Sequence, residues 1–168
     1  DAMLVSGGHW DCSLCVSLAH GGGGTVHRLR AHADLVTCVA VSRCSRWLLS
    51  GSLDGTAMLW ALGEGGLTSG VLSGGEAQQQ PTHVLRGHSA AVLCVALSSV
   101  LRVAASGSHD GTAALYTLRD GRRVRVLREP AGTSVEQVVL ADCTYMYMYM
   151  CTDMYMYMYM SSRWCSPT

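Results

Sequence analysis

The chain has 168 residues, with 12 basic and 12 acidic side chains and 49% apolar content. Zero formal net charge leaves no global field to recruit nucleic acid or an anionic membrane, so DNA is not an expected partner. No run reaches the roughly 18 apolar residues of a membrane span, no signal peptide opens the chain, and the missing initial Met reads as an incomplete start.

Residues 1–31 read as the rear part of a repeat. Met3-Leu4-Val5-Ser6 is a short strand, Gly8-His9-Trp10-Asp11 a turn, and Ser13 to Leu18 a second strand. Gly21 to Gly24 form another turn, and Thr25 to Arg30 a further short strand. Residues 32–87 are a full copy. Leu35 to Ser42 is apolar almost throughout, which predicts a strand buried on both faces. Trp47 to Ser50 and Ala57 to Leu62 are strands joined by Asp54-Gly55, residues that tolerate positive φ in a hairpin. Gly63 to Pro81 is an insertion rich in Gly, Ser and Gln that lengthens one hairpin loop, before a strand at Val84 to Arg86. Residues 88–130 repeat the scheme with strands at Ala91 to Ser98, Arg102 to Ser106, Ala113 to Leu118 and Arg123 to Leu127.

Residues 131–168 read as an irregular, low-complexity tail. The chain has no Lys, Phe, Ile or Asn, types that share AT-rich codons, yet six of its seven Tyr and seven of its nine Met alternate between Tyr145 and Met160. Such alternation is what a hexanucleotide repeat encodes, so the tract from about Cys143 reads as translated simple-sequence DNA or a gene-model error.

The spacing of the two full copies carries the argument. Ser50 follows His32 by 18 positions, Asp54 follows Ser50 by 4, and Trp60 follows Asp54 by 6. His88, Ser106, Asp110 and Tyr116 repeat these intervals. Four short strands recurring at about 40 to 45 residues is the sequence signature of a β-propeller. The pattern resembles the WD-repeat family. That resemblance implies a hydrogen-bonded tetrad in each blade: His32, Ser50, Asp54 and Trp60 in one, and His88, Ser106, Asp110 and Tyr116 in the next. The donor inventory suits the role, because an indole only donates while a Ser hydroxyl and an imidazole can pass a bond along. Tyr116 departs from the usual Trp, and Trp60 is followed by Ala61 rather than Asp.

A catalytic Ser-His-Asp reading competes with this one. A nucleophilic triad is defined by geometry and needs an oxyanion site. The same trio at fixed spacing in two copies instead points to a structural duty in each unit, so no catalytic residue is expected. Cys12 and Cys15 form a CxxC that would suit a thiol or zinc protein. No second pair stands at zinc spacing, and positions i and i+3 of a strand face opposite ways, so two strand thiols without metal are expected. With no secretory signal, the eight cysteines read as reduced thiols. Arg119, Arg122, Arg123, Arg125 and Arg128 form a basic hairpin that could contact anionic lipid or RNA through Arg119, Arg122, Arg123 and Arg125. The competing reading is a solvated outer strand, with Val124 and Val126 inward and the arginines outward guarding a sheet edge.

Within the WD-repeat pattern the match narrows. His9-Trp10-Asp11-Cys12-Ser13, His32-Ala-Asp-Leu-Val-Thr-Cys-Val-Ala, Leu49-Ser-Gly-Ser-Leu-Asp and Gly87-His88-Ser-Ala-Ala-Val-Leu-Cys-Val-Ala resemble the C-terminal propeller of BEACH-domain, neurobeachin-like proteins. The resemblance covers about residues 3 to 130. It implies an all-β propeller fragment of about two and a half four-stranded blades with a low-complexity tail. It also implies a non-catalytic protein-interaction scaffold from a cytoplasmic protein of vesicle or membrane traffic, peripheral to membranes through its parent. The implied partners are other proteins and the rest of its own propeller, with no cofactor. An isolated fragment of this kind is expected to expose apolar blade faces and to be poorly soluble.

Overall fold

The computed structural model describes residues 3–18, 27–30, 32–62, 80–129, 133–140, 147–151 and 155–159. The Gly21 to Gly24 turn, Ala31, the insertion from Gly63 to Gln79, Cys143 and Cys165 lie outside these residues. Among the described residues there are strands and no helix, arranged in four antiparallel sheets.

Sheet one contains β1 (Met3–Ser6), β2 (Ser13–Leu18) and β3 (His27–Arg30). Sheet two contains β4 (Val36–Val41), β5 (Trp47–Ser52), β6 (Ala57–Ala61) and β7 (His83–Leu85). Sheet three contains β8 (Val92–Ser98), β9 (Val103–Ser108), β10 (Thr112–Thr117) and β11 (Arg123–Arg128). Sheet four contains β12 (Val138–Leu140), β13 (Tyr147–Cys151) and β14 (Tyr155–Tyr159). In every sheet, strands adjacent in sequence are adjacent in space.

The sheets stack face to face, and successive residues of one strand serve different neighbours. Leu48 packs with Leu14, Val16 and Leu29 of sheet one, while Leu49 packs with Ala104, Ala114 and Tyr116 of sheet three. This is the period of two that points alternate side chains to opposite faces. A third cluster joins Ala105, Ala113 and Leu115 of sheet three to Val135 and Val138 ahead of and within sheet four. Burying one such Leu contributes about 1.5–3 kcal/mol, so each sheet depends on both neighbours.

The burial of the strands differs from the sequence expectation. The runs Leu35 to Ser42 and Ala91 to Ser98 are only partly buried within β4 and β8, whereas β5 and β9 are buried along almost their full length. β4 and β8 are the edge strands of their sheets; the middle strands are the ones covered on both sides. Val124 also departs from expectation, being 63% exposed rather than inward. The β10–β11 register slips at Leu115/Tyr116, pairing Leu115 with Arg125 but Tyr116 with Arg123, so Val124 bulges out of the ladder. Cys12 lies in the β1–β2 turn, not in a strand. In the stretch read as irregular, β13 pairs with β12 on one side and with β14 on the other. The Tyr-Met alternation has the strand period of two.

Candidate functional site

The repeated polar residues converge on the hairpins that join β5 to β6 and β9 to β10. Each hairpin is a three-residue loop. Gly55 N–H donates to Ser52 C=O and Gly111 N–H to Ser108 C=O, both at 3.2 Å. Gly55 and Gly111 then take φ of 77° and 75°, the left-handed step that closes a type I turn with a bulge.

In sheet two the structure brings His32, Ser50, Asp54 and Trp60 into one hydrogen-bonded chain. Trp60 Nε1–H donates to Ser50 Oγ at 3.1 Å, and Ser50 Oγ lies 2.7 Å from His32 Nε2. His32 Nδ1 lies 3.2 Å from Asp54 Oδ2. A neutral imidazole with its proton on Nδ1 satisfies every link: it donates to the carboxylate and accepts the Ser50 hydroxyl proton. Ser50 and Trp60 are 0% and 1% exposed, so the chain is sealed.

Sheet three repeats the arrangement with one broken link. His88 Nε2 is 2.7 Å from Ser106 Oγ, and His88 Nδ1 is 3.2 Å from Asp110 Oδ2. Tyr116 is in place and buried, but its hydroxyl has no hydrogen-bond partner. Burial raises the phenol pKa; Ser106 opposes that shift without meeting hydrogen-bond geometry. A phenol carries its polar atom at the ring tip, whereas the indole N–H of Trp60 lies on the ring side facing Ser50.

Sequence reasoning missed residues that hold the Asp in place. Thr56 N–H and hydroxyl both donate to Asp54 Oδ1, at 2.8 and 2.6 Å, while Ala33 N–H donates to Oδ2 at 2.9 Å. Thr112 and Ser89 do the same for Asp110. Ser52 Oγ accepts from Asp54 N–H and donates to Asp34 C=O, as Ser108 does with Asp110 and Ala90. The signal was present in the doubled Ser-Gly-Ser and Asp-Gly-Thr strings.

The electrostatics follow from this wiring. Burial pushes the His32 and His88 pKa values below the ordinary 6.5, outweighing the pull of Asp54 and Asp110. Burial alone would raise both carboxyls, but the Thr and backbone N–H donors overcome it. They hold Asp54 below its usual 3.8 and Asp110 at about 2.

Sheet one varies the theme. Ser6 pairs with Cys15 across β1–β2 as Ser50 pairs with Met58, which identifies it as the equivalent serine. Its partner is His9 Nε2 of the adjoining turn, at 3.1 Å. Asp11 binds Ser13, Arg28 at 3.0 Å and Arg30 at 2.7 Å. The Ser13 hydroxyl, and then Arg30, hold its carboxyl far below the usual range.

The remaining candidates are dispersed. Cys12 is half-buried on the turn and Cys15 is buried within β2. Among the described residues no three of His, Cys, Asp and Glu gather into a metal site. Arg119, Arg122, Arg123 and Arg125 are all exposed but do not form one cluster. Arg119 and Arg122 lie at the β10–β11 hairpin, where Arg122 meets Asp120 at 3.4 Å. Arg123 occupies the space a side chain at Gly87 would need, and its charge adds to burial in lowering the His88 pKa. Arg125 lies on the outer strand opposite Leu115.

A family model of the neurobeachin beta propeller domain matches residues 1–164. The chain belongs to the neurobeachin β-propeller family. Its relatives include BEACH domain-containing protein B of Arabidopsis thaliana, 33% identical over 88% of this chain. BEACH domain-containing protein lvsD of Dictyostelium discoideum is 22% identical over 88%. The WD repeat, SAM and U-box domain-containing protein 1 of Gallus gallus is 33% identical over 66%. The chain spans 6%, 5% and 20% of those proteins, respectively. Within the neurobeachin propeller family, the four stacked antiparallel sheets are read as blades. Among the described residues no helix is long and apolar enough to cross a membrane.

Proposed function

We propose that this propeller segment is a non-catalytic protein-interaction scaffold, working within a BEACH-type protein of vesicle or membrane traffic. In this reading His32, Ser50, Asp54 and Trp60, and their counterparts in the next blade, are staples that hold the hairpins still. One observation carries the proposal: the His-Ser-Asp chain recurs in the second and third sheets while the turn tips vary. The residue before each turn Asp is Trp10, Leu53 or His109, all exposed, with Trp10 fully so at 101%. A rigid interior carrying a different exposed side chain on each blade suits recognition. A hydrolytic role is disfavoured because Ser50 and Ser106 are 0% exposed and each is already bonded to its His.

The test separates interior from exterior. Asp54→Ala strips His32, Ala33 and Thr56 of their acceptor, and leaving buried partners bare costs about 1–3 kcal/mol. It is expected to lower the melting temperature. Trp10→Ala with Leu53→Asp is expected to keep the melting temperature and lose captured partner protein. Retained capture by that double variant would sink the scaffold reading. A hydrolase activity abolished by Ser50→Ala at unchanged melting temperature would replace it with a catalytic one.

A further inference from the structure

Among the described residues, the two ends of the blades differ in charge. The Asp-bearing turns mark one end of the blades. There lie six of the seven described acidic residues, Asp11, Asp34, Asp54, Asp110, Glu129 and Glu136, which outnumber the arginines beside them, Arg28, Arg30, Arg86 and Arg128. At the opposite end three hairpins come together, made by residues 42–46, 99–102 and 118–122. Leu62 N–H reaches Arg46 C=O and Leu118 N–H reaches Arg102 C=O. His83 Nε2 lies 3.3 Å from Arg119 C=O, which links the second and third blades at this end.

These hairpins carry Arg43, Arg46, Arg102, Arg119 and Arg122, every one exposed, against Asp120 as the sole described acid. Arg102 is held at φ 54°, a left-handed position that glycine would fill with less strain. Val100, on the same hairpin as Arg102, is 70% exposed, and Val41 is 38% exposed at the end of β4.

We propose that this arginine-bearing end docks on an anionic lipid bilayer, with the five guanidinium groups on headgroup phosphates and Val100 entering the interface. Guanidinium forks match phosphate oxygens bidentately, and basic side chains near an acidic leaflet add their attractions within a Debye length. The apolar tip favours a bilayer over RNA, which single-stranded would call for stacking aromatics. The nearest one, Trp47, is packed against the core. This inference does not rest on the scaffold reading, because the turn tips and the arginine hairpins are at opposite ends.

The test is flotation of the full chain with vesicles of phosphatidylcholine alone and with about a third phosphatidylserine. The chain should float with the acidic vesicles alone and be released by salt. Arg43→Glu with Arg102→Glu should weaken binding at least about tenfold. Arg119→Gln with Arg122→Gln should weaken it less, and Arg125→Gln with Arg128→Gln should leave it unchanged, all at wild-type melting temperature. Equal flotation with both vesicle types, no flotation, loss confined to the Arg125/Arg128 pair, or binding of RNA or polyglutamate in place of vesicles would overturn the proposal. Failure here leaves capture through Trp10 and Leu53 untouched, so the two readings are separately testable.

Discussion

At the scale of single residues, two positions break a rule that their counterparts obey. Cys12 occupies the turn position held by Gly55 and Gly111 and shares their left-handed backbone, at φ 58°. That conformation costs a residue with a Cβ about 1–2 kcal/mol. Glycine removes the strain but adds unfolded-chain entropy that offsets part of the gain. Cys12→Gly should therefore stabilise the chain by about 0.5–1 kcal/mol, seen as a higher urea midpoint at unchanged slope. The second position is Tyr116. A buried hydroxyl without a partner costs about 1–3 kcal/mol in desolvation. Tyr116→Phe is isosteric apart from that atom and should raise stability by about 1 kcal/mol. A fall of similar size would mean that the phenol does bond Ser106, so the sign of the change decides the state of the second chain.

At the scale of elements, the glycines of the second strands set how closely the blades approach. A Cβ on Gly51 would come within 2.6 Å of both Cys38 Sγ and Val92 Cγ1, and one on Gly107 within 2.5 Å of Cys94 Sγ and Val135 Cγ1. Gly7 meets Val36 Cγ1 at 2.8 Å in the same way. One blade's glycine thus receives the next blade's valine at three successive junctions. Gly51→Ala and Gly107→Ala should each cost about 1–3 kcal/mol through overpacking, measurable by chemical denaturation. The Gly51 cost should fall in part when Val92 is also shortened to Ala, because one of its two clashes would be relieved and that with Cys38 Sγ would remain.

These junctions also show what was legible in the sequence. The strand positions were, because turn residues and short apolar runs punctuate each copy. So was the recurrence of His, Ser and Asp, because a repeat reports spacing directly, whereas their joining into one chain was an implication of the WD-repeat resemblance. The glycine–valine contacts were not, since a packing distance between blades leaves no local pattern. Val135 shows the same limit. It fills the role of Val36 and Val92, but Glu136 and Gln137 interrupt the apolar run that marked those copies. Val124 was assigned inward by simple alternation, and a register slip, invisible in sequence, turned it out.

At the scale of the whole molecule, the two repeated His-Asp pairs should make stability fall with acid in two stages. His32 and His88 titrate below the ordinary value of 6.5 in the folded chain because burial disfavours their charge. As pH drops through about 6.5, the unfolded chain takes up protons that the folded chain refuses, so stability is lost as pH falls. Asp54 and Asp110 are also depressed, the latter from 3.8 to about 2. Their contribution is present above about pH 4 and is lost as pH falls toward their folded values. Both stages have the same sign, and each draws on two blades at once. The urea midpoint should therefore be flat above about pH 7, begin to decline as pH falls through about 6.5, and decline again below about 4. A midpoint that rises on acidification through 6.5 would show the imidazoles charged in the fold, because only a folded-state pKa above the unfolded one gives that slope. Replacing His32 and His88 with Gln should lower overall stability and erase the first decline. The second should persist, because Thr56, Thr112 and the backbone donors of Ala33 and Ser89 still hold the two carboxylates.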